Sequence, residues 1–128
     1  RSSGFAINFD PSHIHRSGEN PDELVSQFVD SIGHIHVRDC LGREQGPGKP
    51  QKQVSGKGDV DLFSFCQELV DGGYEGALSL EIIGANVVNK DDDWADETGG
   101  KFGLPEVAAL AAENYGYLNA CLKKLNAR

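Results

Sequence analysis

Three short apolar strands, each followed by an amphipathic helix, form the dominant pattern of this 128-residue chain. The strand patterns cover residues 4–10 (GFAINFD), 34–39 (HIHVRD) and 76–83 (GALSLEII). The helical patterns cover residues 20–33, 61–73 and about 104–125. A chain that alternates strands and helices builds a parallel sheet, because each helix returns the chain to the end of the sheet where the previous strand began. The sequence therefore predicts an α/β fold with parallel strands.

Capping residues mark the predicted helix boundaries. Asn20 and Asp61 stand where N-caps are favoured, and Gly33 and Gly72 stand where the helices are expected to end. The last helix carries one apolar face, formed by Val107, Leu110, Ala111, Leu118, Cys121, Leu122 and Leu125. Two long loops, residues 40–60 and 84–103, separate the elements, and loops of this length are usually functional or mobile.

The overall charge excludes some classes of partner. The formal net charge is −8 and no cluster of lysine or arginine offsets it, so the sequence predicts no nucleic-acid partner. No apolar run reaches the roughly 20 residues of a membrane span, so no membrane partner is predicted either.

The three widely spaced cysteines, Cys40, Cys66 and Cys121, indicate reduced thiols and a cytoplasmic location rather than a disulfide framework.

Each strand has one apolar face and one polar face, because successive residues of a strand point to opposite sides. The apolar faces are predicted from Phe5, Ile7 and Phe9, from Ile35 and Val37, and from Leu78, Leu80 and Ile82. The polar faces carry Asn8 and Asp10, His34 and His36, and Ser79 and Glu81. Parallel pairing would bring Asp10, His36 and Glu81 to one region, since each stands near the carboxyl end of its strand.

Two carboxylates and an imidazole in one region suggest a metal site. Burying carboxylates together without a counter-charge costs several kcal/mol, and a divalent cation removes that cost. These ligand types suit Mn²⁺, Mg²⁺, Co²⁺ or Zn²⁺. The sequence therefore predicts Asp10, His36 and Glu81 as ligands of a divalent metal ion.

Structural explanations stay open beside this hypothesis. Asp10 precedes a proline and would also serve as a turn residue. His36 would also fit as a hydrogen-bonded core histidine. Glu81 is harder to explain without a function, because an unpaired glutamate is seldom buried. His34 lies deeper on the same face and is assigned a supporting role, and His15 is predicted to lie in a surface loop.

Two polar segments receive weaker functional interpretations. Residues 55–61 (SGKGDVD) lack P-loop spacing and are predicted to form a flexible turn before Asp61, although Lys57 would be able to meet a substrate phosphate. Residues 91–97 (DDDWADE) lack EF-hand spacing and are predicted to form a solvated loop, with Trp94 as a candidate lid over the site.

Four motifs occur in the order and spacing found in the xylose isomerase-like (β/α)8 superfamily: NFDPSH, HIHVRD, SGKGDVDLFSF and GYEGALSLEII. The chain resembles this superfamily, which includes sugar and sugar-phosphate isomerases and epimerases and the endonuclease IV group, from about Phe5 to Glu81. The resemblance implies the last three strand–helix units of a TIM barrel, with residues 1–128 as the C-terminal part of a single domain. The lack of methionine, and the strand that starts within four residues of Arg1, agree with this expectation.

The resemblance also implies roles for four residues. Asp10 and His36 resemble metal ligands, and Glu81 resembles a metal ligand that also serves as the acid/base of the epimerases. His13 resembles the histidine that contacts substrate. A fourth ligand of the family, a glutamate on an earlier strand, has no counterpart in this chain. Family members often carry lysine where Arg38 stands. The epimerases have an arginine shortly after the metal-binding histidine, but the nearest candidate here, Arg43, is out of register, so that role is not assigned to it.

The function implied is that of a metal-dependent isomerase or epimerase, which transfers a proton next to the carbonyl of a sugar or sugar phosphate. Two alternatives stay open: a zinc phosphodiesterase related to endonuclease IV, and a non-catalytic fragment. The loop after His36 contains no histidine for a further zinc ion, and this favours the isomerase over the phosphodiesterase. Three strands alone would expose sheet edges and apolar surface, so the chain is expected to form homo-oligomers or to associate with the missing part of the barrel.

Overall fold

The computed structural model describes residues 4–42, 49–83 and 104–125, without the side chains of residues 104–106. Within these residues, three strands form one sheet: β1 (Ile7–Phe9), β2 (Ile32–Val37) and β3 (Leu78–Leu80). Four helices accompany them: α1 (Pro11–Ser17), α2 (Pro21–Phe28), α3 (Leu62–Asp71) and α4 (Leu104–Lys124). Single 3₁₀ turns cover Val29–Ser31 and Pro50–Lys52. The predicted order of strands and helices is confirmed, with α1 as an additional helix.

The sheet is parallel, as predicted, and β2 lies between β1 and β3. Asn8 of β1 pairs with His34 of β2, and His36 of β2 pairs with Ser79 of β3. Because side chains alternate along each strand, this register places the polar residues of all three strands on one face. The predicted polar face of the sheet is therefore confirmed.

The predicted helix end at Gly33 is wrong. Helix α2 ends at Phe28, a 3₁₀ turn follows, and β2 already begins at Ile32. Gly33 instead belongs to the strand, where a Cβ atom would lie 2.6 Å from the Cβ atom of Ala6. The glycine therefore permits the close approach of two backbone segments rather than ending a helix.

The core lies between the apolar face of the sheet and helices α2, α3 and α4. Its buried side chains include Phe9, Val25, Ile35, Val37, Leu62, Phe65, Leu69, Leu118 and Cys121. The rings of Phe9 and Phe65 stack at a centroid distance of 5.7 Å, which joins β1 to α3. The predicted apolar face of β1 is only partly correct, because Phe5 is 93% exposed and Ile7 is 37% exposed. Ile7 lies in β1, at the edge of the described sheet, and Phe5 precedes that strand.

The segment before α3 is held by one carboxylate. Asp39 is buried and accepts hydrogen bonds from the backbone N–H groups of Cys40, Gly56, Gly58 and Val60 at 2.8–3.1 Å. Burial raises the pKa of Asp39, and the four N–H donors act in the opposite direction. A side chain at position 58 would overlap the Asp39 carboxylate, which explains the glycine there. The segment that was predicted as a flexible turn is thus tied to the end of β2.

The cysteines form no disulfide: Cys40, Cys66 and Cys121 are all free and buried. Burial raises the pKa of Cys66 to about 12 and that of Cys40 to about 11, so both thiols stay protonated at neutral pH. All three side chains belong to the buried core. Among the described helices, none is both long enough and apolar enough to span a bilayer.

Candidate functional site

Asp10 follows β1 directly and serves as the N-cap of α1. Its Oδ1 atom accepts hydrogen bonds from Ser12 N at 2.8 Å, Ser12 Oγ at 2.7 Å and His13 N at 3.3 Å. The structural explanation of Asp10 is therefore correct for this oxygen, but Oδ2 takes no part in the cap. The prediction of a loop around His15 is wrong, because His15 lies in the last turn of α1.

His36 and Glu81 meet on the neighbouring strands. His36 lies in β2, and Glu81 follows β3, where its N–H donates to the carbonyl of Val37 at 3.1 Å. His36 Nδ1 lies 3.9 Å from Glu81 Oε1, and about one third of each side chain is exposed. The ring of His34 packs edge-on against the ring of His36 at 5.0 Å, in keeping with its predicted supporting role.

Arg38 joins the two carboxylates, a role that the sequence alone does not predict. Its side chain is 1% exposed. Nη2 lies 3.1 Å from Asp10 Oδ2, Nη1 lies 3.6 Å from Glu81 Oε2, and Nε donates to Ser12 Oγ at 3.0 Å. Strand alternation was the available signal, since Arg38 follows His36 by two residues and so shares its face.

One cavity of about 460 Å³ collects the predicted site residues. Asp10, His13, His36 and Glu81 all line it, together with the apolar residues Ile7, Phe9, Ile14, Leu24, Phe28 and Ile83 and the polar residue Asn8. His13 is 65% exposed, and its Nε2 atom lies 3.4 Å from Asp10 Oδ2. The structure therefore brings all four predicted residues to one place at the carboxyl ends of the strands.

The fit of these residues to a metal ion depends on donor chemistry. Within residues 4–42, 49–83 and 104–125, no three His, Cys, Asp or Glu side chains stand close enough to hold an ion between them. The cavity nevertheless offers two carboxylates and two imidazoles, which are donor types that divalent ions accept. The donor atoms are therefore of the types that bind a divalent cation. Arg38 already neutralises part of the negative charge of the two carboxylates.

Gln53 supports the segment that carries Glu81. Its side-chain Nε2 donates to the carbonyl of Ile83 at 2.9 Å, and the N–H of Ile83 donates to Gln53 Oε1 at 2.7 Å. The backbone carbonyl of Gln53 accepts a hydrogen bond from the N–H of Asp39 at 2.9 Å. Gln53 therefore links the end of β2 to the chain just after Glu81, a role that no local pattern indicates.

The residues with weaker functional interpretations are only partly within the described structure. Lys57 Nζ lies 2.7 Å from Glu113 Oε1, so the lysine pairs with α4 rather than pointing alone into solvent. Arg43, Trp94 and the segment 91–97 lie outside the described residues.

Comparison with known proteins agrees with this architecture. A family model described as a xylose isomerase-like TIM barrel matches residues 1–100. The structure of an L-ribulose 3-epimerase superposes with a TM-score of 0.68 at 18% identity, over 98% of this chain and 38% of that one. A xylose isomerase domain protein from Planctomyces limnophilus superposes with a TM-score of 0.61 at 22% identity, over the same shares. The predicted partial TIM barrel is confirmed.

Curated relatives give a second comparison. Inosose dehydratase from Clostridium perfringens is 33% identical over 85 residues, which are 57% of this chain and 29% of that protein. Inosose dehydratase from Lacticaseibacillus casei is 27% identical over 90 residues, which are 59% of this chain and 30% of that protein. The chain thus spans less than a third of the length of these relatives.

Proposed function

The chain belongs to the xylose isomerase-like TIM-barrel family, and on that premise we propose that it carries part of a metal-dependent active site for sugars. The reaction proposed is proton transfer next to the carbonyl of a sugar or sugar phosphate. The observation that supports this most strongly is the cavity lined by Asp10, His13, His36 and Glu81. In TIM barrels, the carboxyl ends of the strands are where the chemistry takes place.

Asp10, His36 and Glu81 are the proposed ligands of the metal ion, and because no three such side chains of the described residues stand close enough to share an ion, binding would draw these three together. A divalent cation in this cavity would polarise a bound carbonyl and stabilise the negative charge that forms on its oxygen. Asp10 would contribute Oδ2, because its Oδ1 already accepts three hydrogen bonds.

Glu81 is proposed to carry the proton. The Glu81 side chain lines the cavity and is about one third exposed, so a substrate C–H group would be able to reach it. His36 Nδ1 at 3.9 Å and Arg38 Nη1 at 3.6 Å limit the positions that the carboxylate can take. His13 stands at the more exposed side of the cavity, where its imidazole would orient a substrate hydroxyl. Apolar side chains such as Ile14 and Leu24 line the same cavity and keep part of it free of polar groups.

Two reactions of the family begin with the same step. The proteins similar to this chain include an L-ribulose 3-epimerase and an inosose dehydratase. An epimerase returns the proton on the other side of the carbon atom, whereas a dehydratase expels a neighbouring hydroxyl after the proton has left. The side chains of this cavity would serve the shared first step, so we propose isomerisation or epimerisation, with dehydration as the second candidate.

The test is hydrogen exchange next to the carbonyl. The chain, with MnCl₂ in D₂O, is expected to replace the C–H proton beside the carbonyl of at least one ketose or inosose, in free or phosphorylated form. Proton NMR measures the loss of this signal, a new epimer indicates epimerisation, and a new dicarbonyl absorbance indicates dehydration. Failure to exchange any substrate of such a panel would contradict the proposal and favour a non-catalytic chain.

His15, two residues after His13 in the same helix, provides a matched control for it. Replacing His13 by asparagine is expected to raise the KM for the exchanged substrate by about tenfold, the typical loss of one or two substrate hydrogen bonds. His15→Asn changes the same residue type within the same helix but lies away from the cavity, and it is expected to leave KM unchanged. Equal effects of both substitutions would show that α1, rather than the His13 imidazole, matters.

Association with other barrel units is a second part of the proposal. Phe5, Ile7, Phe28 and Ile83 are exposed apolar side chains, and three of them line the mouth of the same cavity. Contact with the remaining units of a barrel, or with a second copy of the chain, would cover them.

A further inference from the structure

Arg38 is the buried cation of this site. Its guanidinium is 1% exposed, pairs with Asp10 at 3.1 Å and with Glu81 at 3.6 Å, and lies behind both carboxylates. Its Nη1 atom is buried and makes no hydrogen bond within the described residues. Arg38 is not among the residues that line the cavity, so it acts on a ligand only through the two carboxylates.

The oxygens that face Arg38 are the ones a metal ion needs. Asp10 Oδ1 is saturated by Ser12 and His13, so Asp10 has only Oδ2 to offer, and this atom is the partner of Arg38 Nη2. Glu81 likewise turns one of its two oxygens toward Arg38 Nη1. A divalent cation and the guanidinium would therefore draw on the same negative charge.

We propose that Arg38 is a built-in counter-ion that competes with the metal ion and sets the affinity of the site for divalent cations. This inference rests on the metal-binding part of the proposed function. In the absence of metal, Arg38 holds Asp10 and Glu81 in place and offsets their repulsion. When an ion binds to these carboxylates, the positive charge of Arg38 lowers the affinity of the site for the ion, because like charges repel strongly in a partly buried site. The site would thus load only where the metal is abundant.

The experiment measures Mn²⁺ affinity by isothermal titration calorimetry. Arg38→Met removes the charge and leaves an apolar side chain in its place. This variant is expected to bind Mn²⁺ at least about tenfold more tightly than the wild type, which is a typical size for the coupling between two sites. Arg38→Lys keeps the positive charge without the two-point geometry, and its Mn²⁺ affinity is expected to stay closer to that of the wild type than the affinity of Arg38→Met does. Lys123→Met makes the same change of charge on an exposed residue of α4 that does not line the cavity, and it is expected to have no effect.

The outcomes separate this inference from the proposed function. Equal or weaker Mn²⁺ binding by Arg38→Met, with measurable binding by the wild type, would overturn the inference and leave the metal site in place. Absence of binding in the wild type and in Arg38→Met would overturn the metal site itself. Circular dichroism before each titration establishes that the variant is folded.

A measurement on the wild type serves if Arg38→Met does not fold. The Arg38 guanidinium signals in ¹⁵N NMR are expected to shift on addition of Zn²⁺, which is diamagnetic, because Asp10 and Glu81 turn part of their charge to the ion. Zn²⁺ binding that leaves these signals unchanged would contradict competition. A shift of the Arg38 signals that saturates together with the calorimetric binding curve would support it.

Discussion

Replacing Asp39 by asparagine is expected to lower the free energy of unfolding by about 3–5 kcal/mol. Asp39 is fully buried, and its carboxylate accepts four backbone N–H groups. Asparagine replaces one acceptor oxygen by an NH₂ group, which would point at backbone N–H donors and leave them without an acceptor. Urea unfolding of the wild type and the variant measures the difference.

Asp71→Asn is the matched control for this prediction. Asp71 lies exposed at the end of α3, and its substitution is expected to change stability by no more than about 0.5 kcal/mol. The control retains an acceptor for Gln67, which donates to Asp71 at 2.9 Å. A small loss for Asp39→Asn, similar to that of the control, would show that the segment before α3 is anchored by something other than Asp39.

The pH dependence of the free energy of unfolding is a second way to detect the contribution of the Asp39 carboxylate. Burial raises the pKa of Asp39 above its ordinary value of 3.8, so the folded chain holds this proton more tightly than the unfolded chain. The contribution of Asp39 to stability is therefore largest below pH 3.8 and is lost as the pH rises through the folded pKa. Asp39→Asn is expected to abolish this part of the pH profile.

Replacing Glu81 by glutamine is expected to slow exchange of the proton next to the carbonyl by about 10²–10⁴-fold, the usual contribution of a positioned acid/base. Glutamine has nearly the same shape but cannot accept the proton. Glu81 also stands among the predicted metal ligands, so Mn²⁺ affinity is measured in parallel and exchange is compared at saturating metal. The D₂O exchange assay with proton NMR gives the rate.

Glu75→Gln makes the same substitution at the opposite end of β3. Glu75 is exposed, precedes the strand and lies outside the site cavity, so its variant is expected to exchange at the wild-type rate. Glu81→Gln that retains the wild-type rate at saturating metal would remove Glu81 from the proton-transfer step. A loss of the same size in both variants would indicate a general effect on folding.

The faces of the strands could be predicted from the sequence, whereas one helix could not. Alternation along the strands is a local property, so Asp10, His36 and Glu81 were placed on one face without knowledge of the fold. Helix α1 was missed because Asp10 followed by Pro11 fits both a turn and an N-cap with proline in the first helical position. Only the hydrogen bonds from Ser12 and His13 to Asp10 distinguish the two.

The supporting contacts of the site depend on partners that are distant in sequence. Arg38 pairs with Asp10, 28 residues earlier. Gln53 pairs with Ile83, 30 residues later. Asp39 holds N–H groups up to 21 residues away. No local pattern identifies such partners, because the sheet register and the path of the loop decide which groups meet.

Anomalous X-ray diffraction from crystals of the chain grown with Mn²⁺ would test the central claim directly, namely that side chains from the ends of three parallel strands form one cation site. The predicted result is a manganese peak in the cavity, within about 2.0–2.6 Å of Asp10 Oδ2, a His36 nitrogen and a Glu81 oxygen. A manganese peak bound by other residues, or diffraction in which Asp10, His36 and Glu81 point to separate cavities, would contradict the claim.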